Sequence, residues 1–137
     1  MKKAFLFPGQ GSQVVGMALE FYRNFNRVKN IFEEADDKLK FKLSDIILNG
    51  PENVLKLTQN TQPAILTVSY AIFSVLKKEF NFNFEKTKFF AGHSLGEYSA
   101  LVCADALHFK DALFLLFERG KSMQEAVPVG KGSMIAV

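Results

Sequence analysis

The sequence predicts an α/β fold with a largely parallel sheet. Three observations carry that prediction. Short apolar runs at Lys3–Phe7 (KAFLF), Thr87–Ala91 (TKFFA) and Met134–Val137 (MIAV) have strand character. The first two run directly into glycine-containing turns, PGQGSQ and GHSLG. Between the runs, apolar residues recur at steps of three and four, the spacing of a helical face. Strands that alternate with helices in this way build layered α/β domains.

Each element follows from its residues. Lys3–Phe7 reads as a buried strand stopped by Pro8 and Gly9. From Met17 the apolar positions are Phe21, Phe25, Val28, Phe32, Ala35 and Leu39, a helical face with room for a break near Asn24–Asn26. Leu43–Leu48 suggests a short helix with Ser44 as its cap. Asn49-Gly50-Pro51 is a turn, and a second short helix starts from Pro51. Gln62-Pro63 after Thr61 places a proline in the first turn of a long apolar helix that reaches Phe80. Residues 81–85 read as a loop. Thr87–Ala91 is the second strand. A helix follows Ser94 to about Ala104, and another spans Asp111–Ala126. A loop from Val127 to Gly132 leads to the third strand at Met134.

The composition narrows the class. The chain has 137 residues, 48% of them hydrophobic, enough for one globular domain with a core. No apolar run reaches the ~20 residues of a membrane span. The apolar stretch near Met1 is too short for a signal peptide. Cys103 is the single cysteine, so neither an internal disulfide nor a cysteine zinc site is expected. The expected compartment is the cytoplasm. The net charge of +3 comes from scattered residues, and no nucleic-acid motif is present, so neither a nucleic acid nor a membrane is expected as partner.

Gly92-His93-Ser94-Leu95-Gly96 fits the G-x-S-x-G nucleophile elbow, in which a strand turns sharply into a helix with the serine at the corner. Small residues on either side let the backbones pass closely. The helix N-terminus offers unpaired N–H groups, so the N–H of Leu95 is positioned to stabilise an oxyanion. The competing reading is a tight glycine turn with Ser94 as an N-cap. A serine hydroxyl also needs a base. His93 adjoins Ser94, and its expected role is support of the turn. His108 lies 14 positions beyond, which along a helix is roughly 20 Å. Neither suits the task.

Two further features point to the same edge. PGQGSQ is not a dinucleotide fingerprint, because Val14 stands where the third glycine belongs, and it is not a phosphate-binding P-loop. It reads as a glycine loop at the carboxyl edge of the sheet, where open α/β sheets place ligands. If the two strands are parallel neighbours, Gln10 and Ser94 converge, and the N–H of Gln10 becomes a second oxyanion donor. An ordinary strand–helix turn is the competing reading. Arg119 falls on an apolar stripe with Ala112, Leu115, Leu116, Met123 and Ala126. A buried arginine needs a partner, and its fork suits a carboxylate. The alternatives are an internal acid or snorkelling to water. Cys103 reads as core packing.

FPGQGSQ, TQPA at Thr61–Ala64, AGHSLGEYSALVCA and RGKSMQEAVP at Arg119–Pro128 together resemble malonyl-CoA:acyl carrier protein transacylases. The resemblance runs from about Phe5 to Val137. It implies an α/β-hydrolase-like core and a small ferredoxin-like subdomain. Residues 1–131 would be part of the large subdomain, and 132–137 would begin the first strand of the small one. It implies Ser94 as the acylated nucleophile, the N–H groups of Gln10 and Leu95 as the oxyanion hole, Arg119 as the holder of the malonyl carboxylate, and Gln62 as a neighbour of the substrate. It implies no metal and no redox cofactor. The partners would be malonyl-CoA and the phosphopantetheine thiol of an acyl carrier protein, in fatty acid biosynthesis. The family's catalytic histidine lies downstream of this subdomain, so the chain resembles an N-terminal portion whose C-terminal half carries the base for Ser94. The start at Met1 fits a free-standing enzyme better than a domain of a large synthase. Two other classes stay open: an α/β-hydrolase-type serine esterase, and a fragment that binds acyl-CoA or carrier protein without turnover.

Overall fold

The computed structural model describes residues 3–80, 82–84, 87–128 and 130–132. The strand read at Met134–Val137 lies outside them. The element order is β1 (Lys3–Phe7), α1 (Leu19–Asn24), α2 (Asn26–Leu39), α3 (Leu43–Asn49), α4 (Glu52–Leu55), α5 (Thr58–Lys78), β2 (Thr87–Gly92), α6 (Gly96–Cys103) and α7 (Phe109–Ala126). The break near Asn24–Asn26 is real. Phe25 is extended there, separating α1 from α2.

β1 and β2 pair in parallel, with Phe5 opposite Phe90 and Phe7 opposite Gly92. Strand side chains alternate between faces. Phe5, Phe7 and Phe90 therefore point to one side, where they meet Phe73 of α5 and Ala100 and Cys103 of α6. Phe5 stacks on Phe90 at 5.6 Å and meets Phe73 edge-on at 5.7 Å, geometries that aromatic pairs favour. The other face carries Ala4, Leu6, Phe89 and Ala91. It is open, with Leu6 79% and Phe89 67% exposed. Parallel sheets are normally covered on both faces.

The helical layer is built around α5, which is buried from Asn60 to Val68 and again at Ala71, Phe73, Ser74 and Val75. Helix α2 turns Val28, Phe32 and Ala35, from the face read by their spacing, toward it, together with Ile31. α7 packs against α5 from another side with Phe109, Ala112, Leu113, Leu116 and Gly120. Leu115, read as part of that stripe, is instead 45% exposed. Both Leu115 and Leu116 fit a coarse helical spacing, and only the neighbour's position decides which one is covered.

Two start signals need correction. Ser44 is not the cap of α3, because Lys42 occupies the N-cap position. The N–H and Oγ of Ser44 both donate to the buried carboxylate of Asp36, at 2.8 and 2.6 Å. A carboxylate from α2 thus serves the N-terminus of α3, where negative charge is favoured. Pro63 is not in a first turn either, since α5 begins at Thr58. The side chains of Asn60 and Thr61 donate to the carbonyls of Val54 and Leu55, at 2.9 and 2.5 Å. Those bonds satisfy the end of α4 and set the start of α5 upstream of the proline.

Cys103 is free and buried, as its setting in the helix implied. Burial pushes its thiol up to about 12. The thiolate is the reactive form, so Cys103 is expected to resist iodoacetamide at pH 8 until denaturant is added. Because the folded value is raised, the stability linked to this group is intact below about pH 9 and falls as pH rises toward 12. Fast native alkylation at pH 8 would contradict the placement.

Candidate active site

β1 and β2 end side by side, and both chains turn at the same edge. After β2, Ser94 adopts a left-handed backbone with φ of +55°. That region is costly for a residue with a Cβ, and it recurs where a site holds a side chain at a sharp corner. The flanking glycines explain how the corner closes. A Cβ on Gly92 would run into the backbone of Gly96, and one on Gly96 would run into the carbonyl oxygens of Phe7 and Pro8. α6 starts at Gly96, so strand, serine corner and helix follow one another as the pentapeptide demands. Leu95 anchors the turn with a side chain 1% exposed, while Ser94 stays open to solvent.

The glycine loop lies against this corner. A Cβ on Gly9 would stand 2.8 Å from Nδ1 and 2.9 Å from the carbonyl oxygen of His93. The His93 N–H donates to the Phe7 carbonyl at 3.4 Å, so His93 joins the two turns. The loop is closed by its own side chains. Ser12 Oγ donates to the Gly9 carbonyl at 2.9 Å, and Gln13 Oε1 accepts from the Gly11 N–H at 2.8 Å. Gln10 Nε2 donates to Thr58 Oγ1 at 3.3 Å. Among the described residues, neither the Gln10 N–H nor the Leu95 N–H has an acceptor.

Arg119 reaches the corner from α7. Its Nη2 donates to Ser94 Oγ at 3.1 Å, and its Nη1 donates to Gln62 Oε1 at 2.7 Å. Gln62 is fully buried on α5, and its Nε2 donates to Met123 Sδ at 3.3 Å. The approach depends on Gly120. A Cβ there would lie 2.6 Å from both Gln59 Cα and the Thr58 carbonyl oxygen, so α7 crosses α5 nearly backbone to backbone. That crossing brings Arg119 beside Gln62. Thr58 and Gln62 are one turn apart on α5, so the contacts of Gln10 and of Arg119 fall on one helix face. The sequence reading missed Gly120 as a crossing point and Met123 as a polar partner. The spacing of four between Arg119 and Met123 was the available signal.

Ser94, Gln62 and Arg119 are therefore joined by hydrogen bonds, with Leu95 in the same turn and Gln10 in the loop against it. No described carboxylate pairs with Arg119. His108 is exposed at the N-terminus of α7, and neither histidine hydrogen-bonds Ser94. The guanidinium itself cannot take a proton, so no base for Ser94 is among these contacts. The described residues hold no cluster of His, Cys, Asp or Glu suited to a metal, and no described helix is long and apolar enough to cross a membrane.

A parallel α/β sheet with an exposed serine on a glycine-flanked elbow defines a class of acyl-handling α/β proteins. The comparisons narrow the class. The family model described as an acyl transferase domain matches residues 4–137. A malonyl CoA-acyl carrier protein transacylase of Bacillus subtilis (strain 168) is 51% identical over 136 residues, covering 99% of this chain and 42% of the relative. The crystal structure of an acyl-carrier-protein-S-malonyltransferase from Bartonella henselae superposes with a TM-score of 0.89 at 50% identity, covering 95% of this chain and 41% of that one. A malonyl-transacylase solved in complex with its type II PKS acyl-carrier protein superposes with a TM-score of 0.86 at 46% identity, covering 93% of this chain and 40% of that one. The chain belongs to the acyl transferase domain family, and it spans about two fifths of the length of these relatives.

Proposed function

We propose that this chain is the N-terminal portion of a malonyl-CoA:acyl carrier protein transacylase and carries its nucleophile and its carboxylate clamp. The observation that supports the reading is Arg119, which bonds the elbow serine yet pairs with no described carboxylate. Gln62 and Ser94 use two of its five N–H donors, and the others suit an acyl group that ends in a carboxylate. A simple esterase has no need of that charge.

In this reading, Ser94 Oγ attacks the thioester carbonyl of malonyl-CoA. The new O–C bond forms, and the oxyanion is held by the N–H groups of Gln10 and Leu95. The C–S bond then breaks, and CoA leaves as its thiol with the proton that Ser94 gave up. The phosphopantetheine thiol of the carrier protein attacks the acyl-serine in turn and restores the hydroxyl. The base that relays the proton comes from the C-terminal portion. That portion also covers the open sheet face around Leu6 and Phe89. No step calls for a metal or a redox cofactor.

The test is to incubate the chain with malonyl-CoA and map covalent malonyl groups by peptide mass. The chain alone is expected to stay unlabelled while circular dichroism shows it folded. Adding the C-terminal portion of the Bacillus subtilis relative is expected to place a malonyl group on Ser94. A label elsewhere, or none after that addition, would sink the mechanism. Thioester binding without acylation in the combined sample would indicate a non-catalytic binder.

A further inference from the structure

We propose that Gln62 is a specificity-determining positioning residue. Its neutral amide aims the Arg119 guanidinium at the acyl site and leaves the full positive charge for the substrate's carboxylate. The inference rests on the transacylase reading and adds the reason for an amide at this position.

Gln62 has no freedom. It is 0% exposed, and both ends of its amide are engaged. Oε1 accepts from Arg119 Nη1 at 2.7 Å, and Nε2 donates to Met123 Sδ at 3.3 Å. A flipped amide would turn its NH2 toward a guanidinium that has only donors, so one orientation is selected. Met123 completes the arrangement with a weak, uncharged acceptor. The guanidinium is thereby anchored by a group without charge.

A glutamate has nearly the same shape as glutamine. At 2.7 Å from a guanidinium, however, it would form a charge-assisted pair and neutralise Arg119 from within the protein. The substrate carboxylate would then have to compete with a fixed internal one. The existing ion pairs of the described residues use other cations, and no described carboxylate lies within 4.0 Å of Arg119. Charge at position 62 would thus act on malonyl recognition while leaving the thioester and pantetheine contacts as they are.

The experiment compares dissociation constants for malonyl-CoA and acetyl-CoA, measured by titration calorimetry on the 137-residue chain. These thioesters differ only in the terminal carboxylate. The parent chain is expected to prefer malonyl-CoA by roughly tenfold or more, the scale of one charged hydrogen bond. Gln62→Glu is expected to bring the two constants together, because malonyl-CoA loses more affinity than acetyl-CoA does. Gln62→Leu keeps the charge of Arg119 and removes its anchor, so the preference is expected to shrink without vanishing. A parent chain with no preference would overturn the clamp reading, and this inference with it. A parent that prefers malonyl-CoA and a Gln62→Glu variant that does so equally would overturn this inference alone. If circular dichroism shows Gln62→Glu unfolded, an unchanged preference in Gln62→Leu overturns it instead.

Discussion

In an enzyme that contains this chain, Arg119→Ala is expected to lower kcat/KM for malonyl transfer about a hundredfold relative to acetyl transfer. A fork on a carboxylate makes two charge-assisted hydrogen bonds, each worth about 1.5 kcal/mol or more. Acetyl has no carboxylate, so it cannot lose them. Arg119 also donates to Ser94 Oγ at 3.1 Å, and that loss falls on both substrates alike. The ratio of the two kcat/KM values therefore isolates the clamp. Arg119→Lys keeps a charge without the fork and is expected to fall between. Equal losses for malonyl and acetyl would remove the clamp from the mechanism.

Gly92→Ala and Gly96→Ala are expected to destabilise the fold by about 4 kcal/mol or more each, among the largest effects single substitutions have. The atoms in the way are backbone. They are the peptide of Gly96 in one case and the Phe7 and Pro8 carbonyls in the other. A flexible side chain would move aside, whereas these atoms are tied to the parallel pairing of β1 with β2. Against a total stability of about 5–15 kcal/mol, such a loss leaves much of the chain unfolded or reshapes the corner that presents Ser94. Gly11→Ala is the control. A Cβ there meets nothing within 4 Å, and only the φ of +107° opposes it. Its expected cost is about 1–2 kcal/mol. Urea unfolding followed by circular dichroism compares the three. A Gly96→Ala midpoint close to that of Gly11→Ala would mean that the two turns do not approach as described.

Much of the fold was legible because its signals are local. The strand at Lys3–Phe7 ends where Pro8 and Gly9 end it, and the break at Phe25 falls between two apolar faces. The elbow is equally local, since strand, two glycines and serine all lie between Thr87 and Gly96. Element starts were less legible. Ser44 and Pro63 carry standard start signals, but Asp36 and the carbonyls of Val54 and Leu55 claim the surrounding polar groups. Those partners lie on other elements, which propensity does not see.

The sequence by itself determined the alternation of strands and helices, the serine corner and the candidate residues Ser94, Leu95, Gln10, Gln62 and Arg119. Ser94 and Leu95 rest on the elbow's local sterics, Arg119 on its place in an apolar stripe, Gln10 on the assumption that the two strands are parallel neighbours, and Gln62 on the family resemblance alone. The tertiary structure decided where Arg119 is placed. Sequence alone left it an internal ion pair, a surface tip or a clamp. The backbone crossing at Gly120, 61 and 62 positions from the Gln59 and Thr58 backbone atoms that a Cβ there would meet at 2.6 Å, set Arg119 between Gln62 and Ser94, with no described carboxylate pairing with it. Such a contact depends on how two helices pack, and packing is a property of the whole core.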